Sequence, residues 1–449
     1  MVLTPIFRLE QDDKKLKVII HAPLAKLSEM EVCVEEQTFY FDSSPYYLKF
    51  DIPGSVLTDE NTFDYEFING DIHITLEKSE PGPFKDLNLI TKLLITSSET
   101  KISKCLIEEV NDTVTQNQNW SLDWFSDSKN TSSPLDDVIL PNSPTYGFSG
   151  SKSGLFQVES DLTHVVDLPN PDSVDIFKRS NLRTMDEEKK FLVDHYLADY
   201  FESDTWIHMK NIDLPWSLND DSNNSPEFSS DERHRLITLS TRRLPLPPDN
   251  AVEEKILYLG LLDLLFAYIY DYRVREGETM TESGWNIVKL AATLSWFEVY
   301  HSLPEVVVSF YRRALTYPLV RNWRFCTLIK RDASRLLQHT NTIQWCLKCL
   351  LEIREFLIAY PGYHVFAELY LNDYIVWIQT RACESNLHNL GKSLEQFKMK
   401  KDFVHLNLKE IEQLGHECLE MEKLQDSLKQ ISFPVNNDTQ CEESKPVQI

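Results

Sequence analysis

The sequence predicts a multidomain chain of two fold classes, an N-terminal all-β sandwich followed by a large all-α helical domain. Three observations carry this reading. Apolar residues recur with period two, or in short runs, from Pro5 to about Leu94; they recur at helical spacing from Val252 to about Ser432; a stretch rich in Ser, Asn, Thr and Asp lies between. With 449 residues, 42% of them hydrophobic, the chain can bury a sizeable core.

The first pattern assigns residues 1–95 to a small antiparallel sandwich. Its apolar runs are Lys15 to Ala22 (KLKVIIHA), Glu31 to Glu35, Thr38 to Phe41, Tyr46 to Phe50 and Asp71 to Glu77. Pro23, Pro45, Pro53 and Asn69-Gly70 fall between runs, where turns use a fixed negative φ or tolerate a positive one. Residues 96–144 read as an acidic polar linker, because segments such as NDTVTQNQNW cannot bury enough apolar area to offset their ordering. Between Ile107 and Leu239 there are 25 acidic and 10 basic residues, so much of the chain's negative charge sits in or just beyond that linker.

Residues 145–432 read as the helical domain, with its core at about 230–382. Met185 to Phe201 reads as a short helical segment, set apart by the polar stretch Asn219 to Asp231. The apolar run Ile256 to Tyr270 contains Asp263 and is too short to span a bilayer, so it reads as a buried helix. Ser302-Leu303-Pro304-Glu305 predicts a capping box, in which serine and glutamate each satisfy an orphan backbone N–H. Ile343, Leu347, Leu350 and Leu357 mark one helical face, which Pro361-Gly362 ends. Leu387, Leu390, Leu394 and Phe397, then Ile411, Leu414, Cys418 and Met421, predict packed helical hairpins or a short coiled coil. No fixed repeat emerges, and residues 433–449 read as a disordered polar tail.

Charge narrows the function classes. Asp and Glu number 70 against 45 Lys and Arg, a net charge of −25, which repels phosphate backbones and anionic lipid and favours basic partners. Direct nucleic-acid or membrane binding is therefore not expected. Only 12 glycines occur, against glycine-rich phosphate cradles, and no G-x-x-x-x-G-K, G-x-G-x-x-G or G-x-S-x-G is present. The first residues lack a basic start followed by an apolar core, and the eight cysteines are scattered, so reduced thiols and a nuclear or cytosolic home are expected. Cys346 and Cys349 form a C-x-x-C inside a helical pattern without a second ligand pair, and are expected to be packing residues. Asp194-His195 could orient an imidazole, yet no nucleophile accompanies it. No catalytic residue, cofactor or metal is assigned.

The informative polar residues lie in the helical core. Asp271, Arg273, Arg275, Glu276 and Glu282 follow the buried run, with Trp285 and Trp296 beyond. Arg312, Arg313, Tyr317, Pro318, Arg321, Asn322 and Trp323 read as a turn between helices, while Asp373, Tyr374, Trp377 and Gln379 close a later helix. Two readings stay open for them: ion pairs that hold helices in register, or guanidinium and aromatic contacts at a partner surface.

Several segments in order resemble one family. TPIFRLEQDD, SPYYLKFDIP and PGPFKDLNLITKLL look like the CS domain at the head of the H/ACA ribonucleoprotein assembly factors of the Shq family. YGFSGSKSGLFQ, DLPNPDS and DHYLADYFE look like the opening of that family's helical specific domain. LLFAYIYDYRVREGE, ESGWNIVKLAATLSWFE, VVVSFYRRALTYPLVRNW and LYLNDYIVWIQ look like its core. The resemblance spans roughly Thr4 to Gln379. It implies a non-catalytic chaperone, expected to be monomeric and to occur in nucleoplasm and cytosol. Its implied partner is dyskerin, the pseudouridine synthase of H/ACA particles, whose RNA-binding surface it would occupy before guide RNA arrives. The sandwich implies further assembly-chaperone machinery as a second contact. The stretch Val252 to Thr380 is close to neutral, so RNA mimicry would need local carboxylates such as Asp271, Glu276, Glu282 and Asp373. The alternative is a general CS-domain cochaperone or scaffold for another client.

Overall fold

The computed structural model describes residues 3–25, 30–57, 63–68, 70–95, 124–125, 144–158, 160–217, 225–245, 251–317 and 320–431. Most of the expected linker, the expected tail and Pro318 lie outside the described residues.

Strands β1 (Ile6–Gln11), β2 (Lys15–His21), β3 (Glu31–Glu35), β4 (Thr38–Ser43), β5 (Tyr46–Asp51), β6 (Asp64–Ile68) and β7 (Asp71–Glu77) form two antiparallel sheets. Their orders are β1-β2-β7-β6 and β3-β4-β5. Alternation decides which side chains face inward. Phe7 stands opposite Ile20 and Leu9 opposite Val18, and all four are buried. Phe39, Phe41, Leu48 and Phe50 answer from the second sheet, with Phe7 and Phe50 stacked 5.0 Å apart across the interior. Each such side chain removed from water stabilises the sandwich by about 1.5–3 kcal/mol. β1 and β6 add to the five strands read from the short runs. β6 is an edge strand with every residue exposed, although Tyr65 and Phe67 stand opposite buried Ile74 and Ile72.

The remainder is helical. Short helices α1 (Ile90–Leu94) and α2 (Leu155–Val158) precede α3 (Ile176–Lys190), α4 (Val193–Phe201), α5 (Ser203–Lys210) and α6 (Ser230–Leu239). Then come α7 (Ala251–Val274), α8 (Ser283–Leu290), α9 (Ala292–Ser295), α10 (Leu303–Thr316), α11 (Trp323–Leu337) and α12 (Thr342–Ala359). The last group is α13 (His364–Phe366), a π-helical turn over Ala367–Leu371, α14 (Asn372–Thr380), α15 (Glu384–Gln396) and α16 (Leu408–Ile431). α7 is buried on every side over Leu257–Tyr270 because α8, α10, α11 and α12 pack around it. Gly260 admits the Tyr374 hydroxyl, which any Cβ there would overlap. Asp263, buried in α7, accepts the backbone N–H of Thr293 at 2.8 Å and so holds the start of α9.

The two halves meet through α1. Thr91 donates its hydroxyl to the Leu236 carbonyl at 3.0 Å and its N–H to Gln379 Oε1 at 3.2 Å, while Gln379 Nε2 donates back to Thr91 Oγ1 at 2.9 Å. The last residues of the segment 1–95 are thus packed on α6 and α14 as well as following the sandwich. Within the segment expected to be linker, Trp124 is buried and lies edge-on to Tyr258 with ring centroids 5.9 Å apart.

Four local readings are corrected. The helical segment Met185 to Phe201 is two helices, α3 and α4, broken at Phe191-Leu192, where both residues are non-helical. Ser302 does precede α10 as its cap, but its hydroxyl donates to Glu305 Oε1 at 2.8 Å instead of accepting a helix N–H, and Glu305 accepts from His301 N, one residue before the cap, at 2.9 Å, so neither half of the box forms. The full capping box is Ser229 with Glu232 at the head of α6. Arg312 and Arg313 are not in a turn: α10 continues through Thr316 and both are buried inside it. Finally, Leu387, Leu390 and Leu394 are buried on α15, where Gly391 lets the helix approach Leu337 and Ser334 of α11. Leu414, Cys418 and Met421, by contrast, are exposed on α16.

Candidate partner-binding site

The polar residues singled out in the sequence fall into three places. The first is the end of α7. Asp271 is 1% exposed, accepting from Asn286 Nδ2 at 3.0 Å and from Arg275 Nε at 3.1 Å; burial raises its pKa, and Asn286, Ser283 and Arg275 oppose the rise. Arg275 stacks over Tyr272 at 4.7 Å and Phe356 at 5.0 Å. Arg273 pairs with Asp332 at 2.7 Å and donates to the Met209 carbonyl. Asp271 therefore has no carboxylate face for a partner. Glu276, Glu278 and Glu282 are exposed in the loop that follows. Gly277 N donates to the Tyr272 carbonyl at 3.0 Å, the bond that closes a helix on a left-handed residue. That residue is Glu276, at φ +56°, and its carboxylate meets His208 Nε2 at 2.9 Å. Trp285 is half-buried at the head of α8.

The second place is a buried ion cluster between α3 and α10. Arg312 Nε donates to Glu187 Oε2 at 2.6 Å, and Arg312 also reaches the Thr184 and Val404 carbonyls. Arg183 joins Glu187 and Glu298, each at 2.8 Å. Arg313 Nη2 donates to Ser295 Oγ at 2.9 Å and Asp167 Oδ2 at 3.2 Å, and Lys289 also pairs with Asp167. Burial alone would push the Asp167 carboxyl up; Arg313 and Lys289 override it and hold it below its ordinary value. Burial likewise raises Glu298, against the pull of Arg183. The guanidinium of Arg313 lies 4.8 Å from the ring centroid of half-buried Tyr317, whose hydroxyl donates to Asp186 at 2.7 Å. Beyond the helix, the half-buried Arg321 uses its N–H and its guanidinium on Asp199, at 2.8 and 3.3 Å. Trp323 is half-buried and edge-on to Tyr311 at 4.8 Å.

The third place is α14. Asp373 is 2% exposed and takes a two-pronged contact from Arg242, whose Nη2 donates to Oδ2 at 3.2 Å. Tyr374 and Trp377 are buried, Trp377 edge-on to Tyr258 at 4.9 Å. Of the named carboxylates, Glu276 and Glu282 face solvent while Asp271 and Asp373 are spent internally. Sequence reasoning missed Glu187, Asp167, Arg183 and Arg242, because nothing local pairs them with residues 115 or more positions away in most cases, such as Glu298 for Arg183.

Cys346 and Cys349 are fully buried in α12; burial pushes the Cys346 thiol up to about 12 and raises Cys349 as well. Among the described residues no three His, Cys, Asp or Glu side chains converge as metal ligands, and no helix is long and apolar enough to cross a membrane.

The fold defines a CS-domain protein carrying a helical specific domain. The family model for the SHQ1-like CS domain matches residues 4–94, and that for the Shq1 domain of the SHQ1 protein matches residues 217–408. The chain is 33% identical over 425 residues to Protein SHQ1 homolog of Xenopus tropicalis, covering 92% of this chain and 69% of that one. It is 32% identical over 438 residues to the Mus musculus homolog, covering 92% and 75%, and 31% identical over 441 residues to Protein shq1 of Schizosaccharomyces pombe, covering 92% and 96%. The chain belongs to the SHQ1 family, and by family it stands among the H/ACA ribonucleoprotein assembly factors.

Proposed function

We propose that this protein is a non-catalytic chaperone that holds a dyskerin-type pseudouridine synthase before guide RNA binds, occupying the RNA-binding surface as a placeholder. The observation that carries the reading is membership of one family through both the sandwich and the helical domain. Physical chemistry supports it: a chain of net charge −25 is attracted to a basic RNA-binding surface and is itself a poor ligand for RNA. Within the helical core, exposed carboxylates that would stand in for phosphates follow α7: Glu276, which also meets His208, Glu278 and Glu282. The CS-type sandwich would meet further assembly-chaperone machinery, and the protein would act as a monomer in nucleoplasm and cytosol.

The test is a binding assay with labelled H/ACA guide RNA and purified synthase, titrated with this protein. RNA occupancy falling as protein rises supports the placeholder. A stable ternary complex at saturation of both would mean separate surfaces and defeat it.

A further inference from the structure

Among the described residues, helix α16 is docked on one side only. Glu412 accepts the Tyr196 hydroxyl at 2.6 Å, Gly415 lies against Leu197 and Phe201, and His416 is edge-on to Phe201 at 5.1 Å, all on α4. At ~100° per residue, Leu414, Cys418 and Met421 project from the opposite side. Leu414 is 59% exposed, Met421 55% and the neighbouring Leu424 64%; Cys418 is exposed too, and so is every residue from Met421 to Ser427. The spacing of Leu414, Cys418 and Met421 is that of a coiled-coil seam, and no described residue supplies its second helix. Its borders are acidic. Glu417 sits one turn from both Leu414 and Met421, Glu410 and Glu420 lie beside it, and Glu422 is one turn from Cys418 on the other border; all four are exposed. The nearby cations are turned elsewhere: Lys409 pairs with Asp402 at 2.6 Å, and Lys423 is one turn from Leu419, on the side that faces α4.

We propose that this seam docks a basic amphipathic helix of another protein. An apolar seam calls for a helix with its own apolar repeat, and acidic borders call for Lys or Arg at the flanking positions of that helix. A second copy of this chain fits poorly, because a parallel pair would set Glu417 against Glu422 of the copy. An anionic lipid surface is repelled by the same glutamates. The inference is independent of the placeholder reading, since α16 lies outside the loop of Glu276 to Glu282.

The experiment uses the full chain and a fluorescent four-heptad peptide with leucine at the seam and lysine at the borders, read by anisotropy. A peptide of the same composition with scrambled leucine spacing is the control for bulk charge. The seam peptide is expected to bind roughly tenfold or more tightly than the scrambled one. Leu414→Ser with Met421→Ser, and separately Glu417→Lys with Glu422→Lys, should each weaken it by roughly that factor. Both pairs of positions are exposed, so an unchanged melting curve checks that the fold persists. Equal binding of both peptides, or unchanged binding by the serine variant, overturns the proposal. So does a dimer in light scattering that the serine variant dissolves, or capture by phosphatidylcholine vesicles that it abolishes.

Discussion

Arg312 on α10 and Glu187 on α3 meet at 2.6 Å with side chains 3% and 0% exposed, joining residues 125 positions apart inside the helical domain. Two buried charges cost desolvation energy that their pairing repays only when the remaining donors and acceptors are satisfied. Here they are: the other nitrogens of Arg312 reach the Thr184 and Val404 carbonyls, and Glu187 also receives Arg183.

Removing one partner is therefore expected to cost far more than removing both. Arg312→Ala should lower stability by roughly 3 to 5 kcal/mol, because the buried Glu187 loses the partner of its Oε2 and keeps only Arg183 and Arg313 on Oε1, while the Thr184 and Val404 carbonyls lose their donor. Trp323→Ala, which deletes a half-buried ring, should cost less than the roughly 3 to 5 kcal/mol typical of a buried aromatic. Urea unfolding of the variants checks both. An Arg312→Ala protein of unchanged midpoint, with weakened partner binding, would return these residues to the interface reading.

Glu276 allows stability and binding to be separated. It occupies the left-handed position that ends α7, at φ +56°, where glycine is the usual residue. Glu276→Gly should raise stability by about 0.5–1 kcal/mol, since the exposed contact with His208 adds little in water. Glu276→Ala should not, because alanine keeps a Cβ. If this carboxylate faces a basic partner, both variants should speed dissociation alike, and the loss should shrink with added salt. Melting curves and dissociation rates measured on the same preparations test the pair of outcomes. Dissociation rates equal to wild type in both would remove Glu276 from the interface.

Much of this architecture was readable from periodicity. Strands such as Asp71–Glu77 alternate strictly, and the long apolar run of α7, with Asp263 inside it, reads as a buried element. What periodicity cannot supply is the partner of a charged residue. Arginine is read as a surface residue by default, and the Glu187 that makes burial of Arg312 tolerable is far away in sequence. The run YRRALTYPLVRNW reads as one turn, but α10 carries Arg312 and Arg313 through to Thr316. The same limit applies to α16: its spacing correctly marks an apolar face but is silent on whether the helix that covers it belongs to this chain. The exposed Glu276, Glu278 and Glu282 were legible only as charges after a helix, since exposure depends on how α7 ends.

The junction of the two halves should unfold with the helical domain. Thr91, Gln379 and the Leu236 carbonyl form a buried hydrogen-bonded set across α1, α14 and α6. Gln379→Leu leaves the Thr91 N–H and hydroxyl short of partners and should cost about 1–3 kcal/mol. Unfolding followed by tryptophan fluorescence and by the far-ultraviolet β signal should coincide in the parent protein. Two separated transitions in the parent would show that the contact is too weak to couple the halves.

Asp263 predicts a pH dependence of the core. Burial raises its pKa to about 6, with the Thr293 N–H pulling the other way; in the unfolded chain the value is 3.8. The folded state therefore holds a proton on Asp263, between those two values, that the unfolded state has released. Protonation favours folding, so this contribution weakens as pH rises from about 4 and is fully lost above about 6. A shift of that size corresponds to roughly 3 kcal/mol at neutral pH. Asp263→Asn keeps an oxygen for the Thr293 N–H and never ionises, so its gain over the parent protein should grow with pH between those limits and then level off. Urea midpoints of parent and variant at pH 4.5 to 8 measure this. A constant difference across the range would mean that Asp263 titrates near its ordinary value.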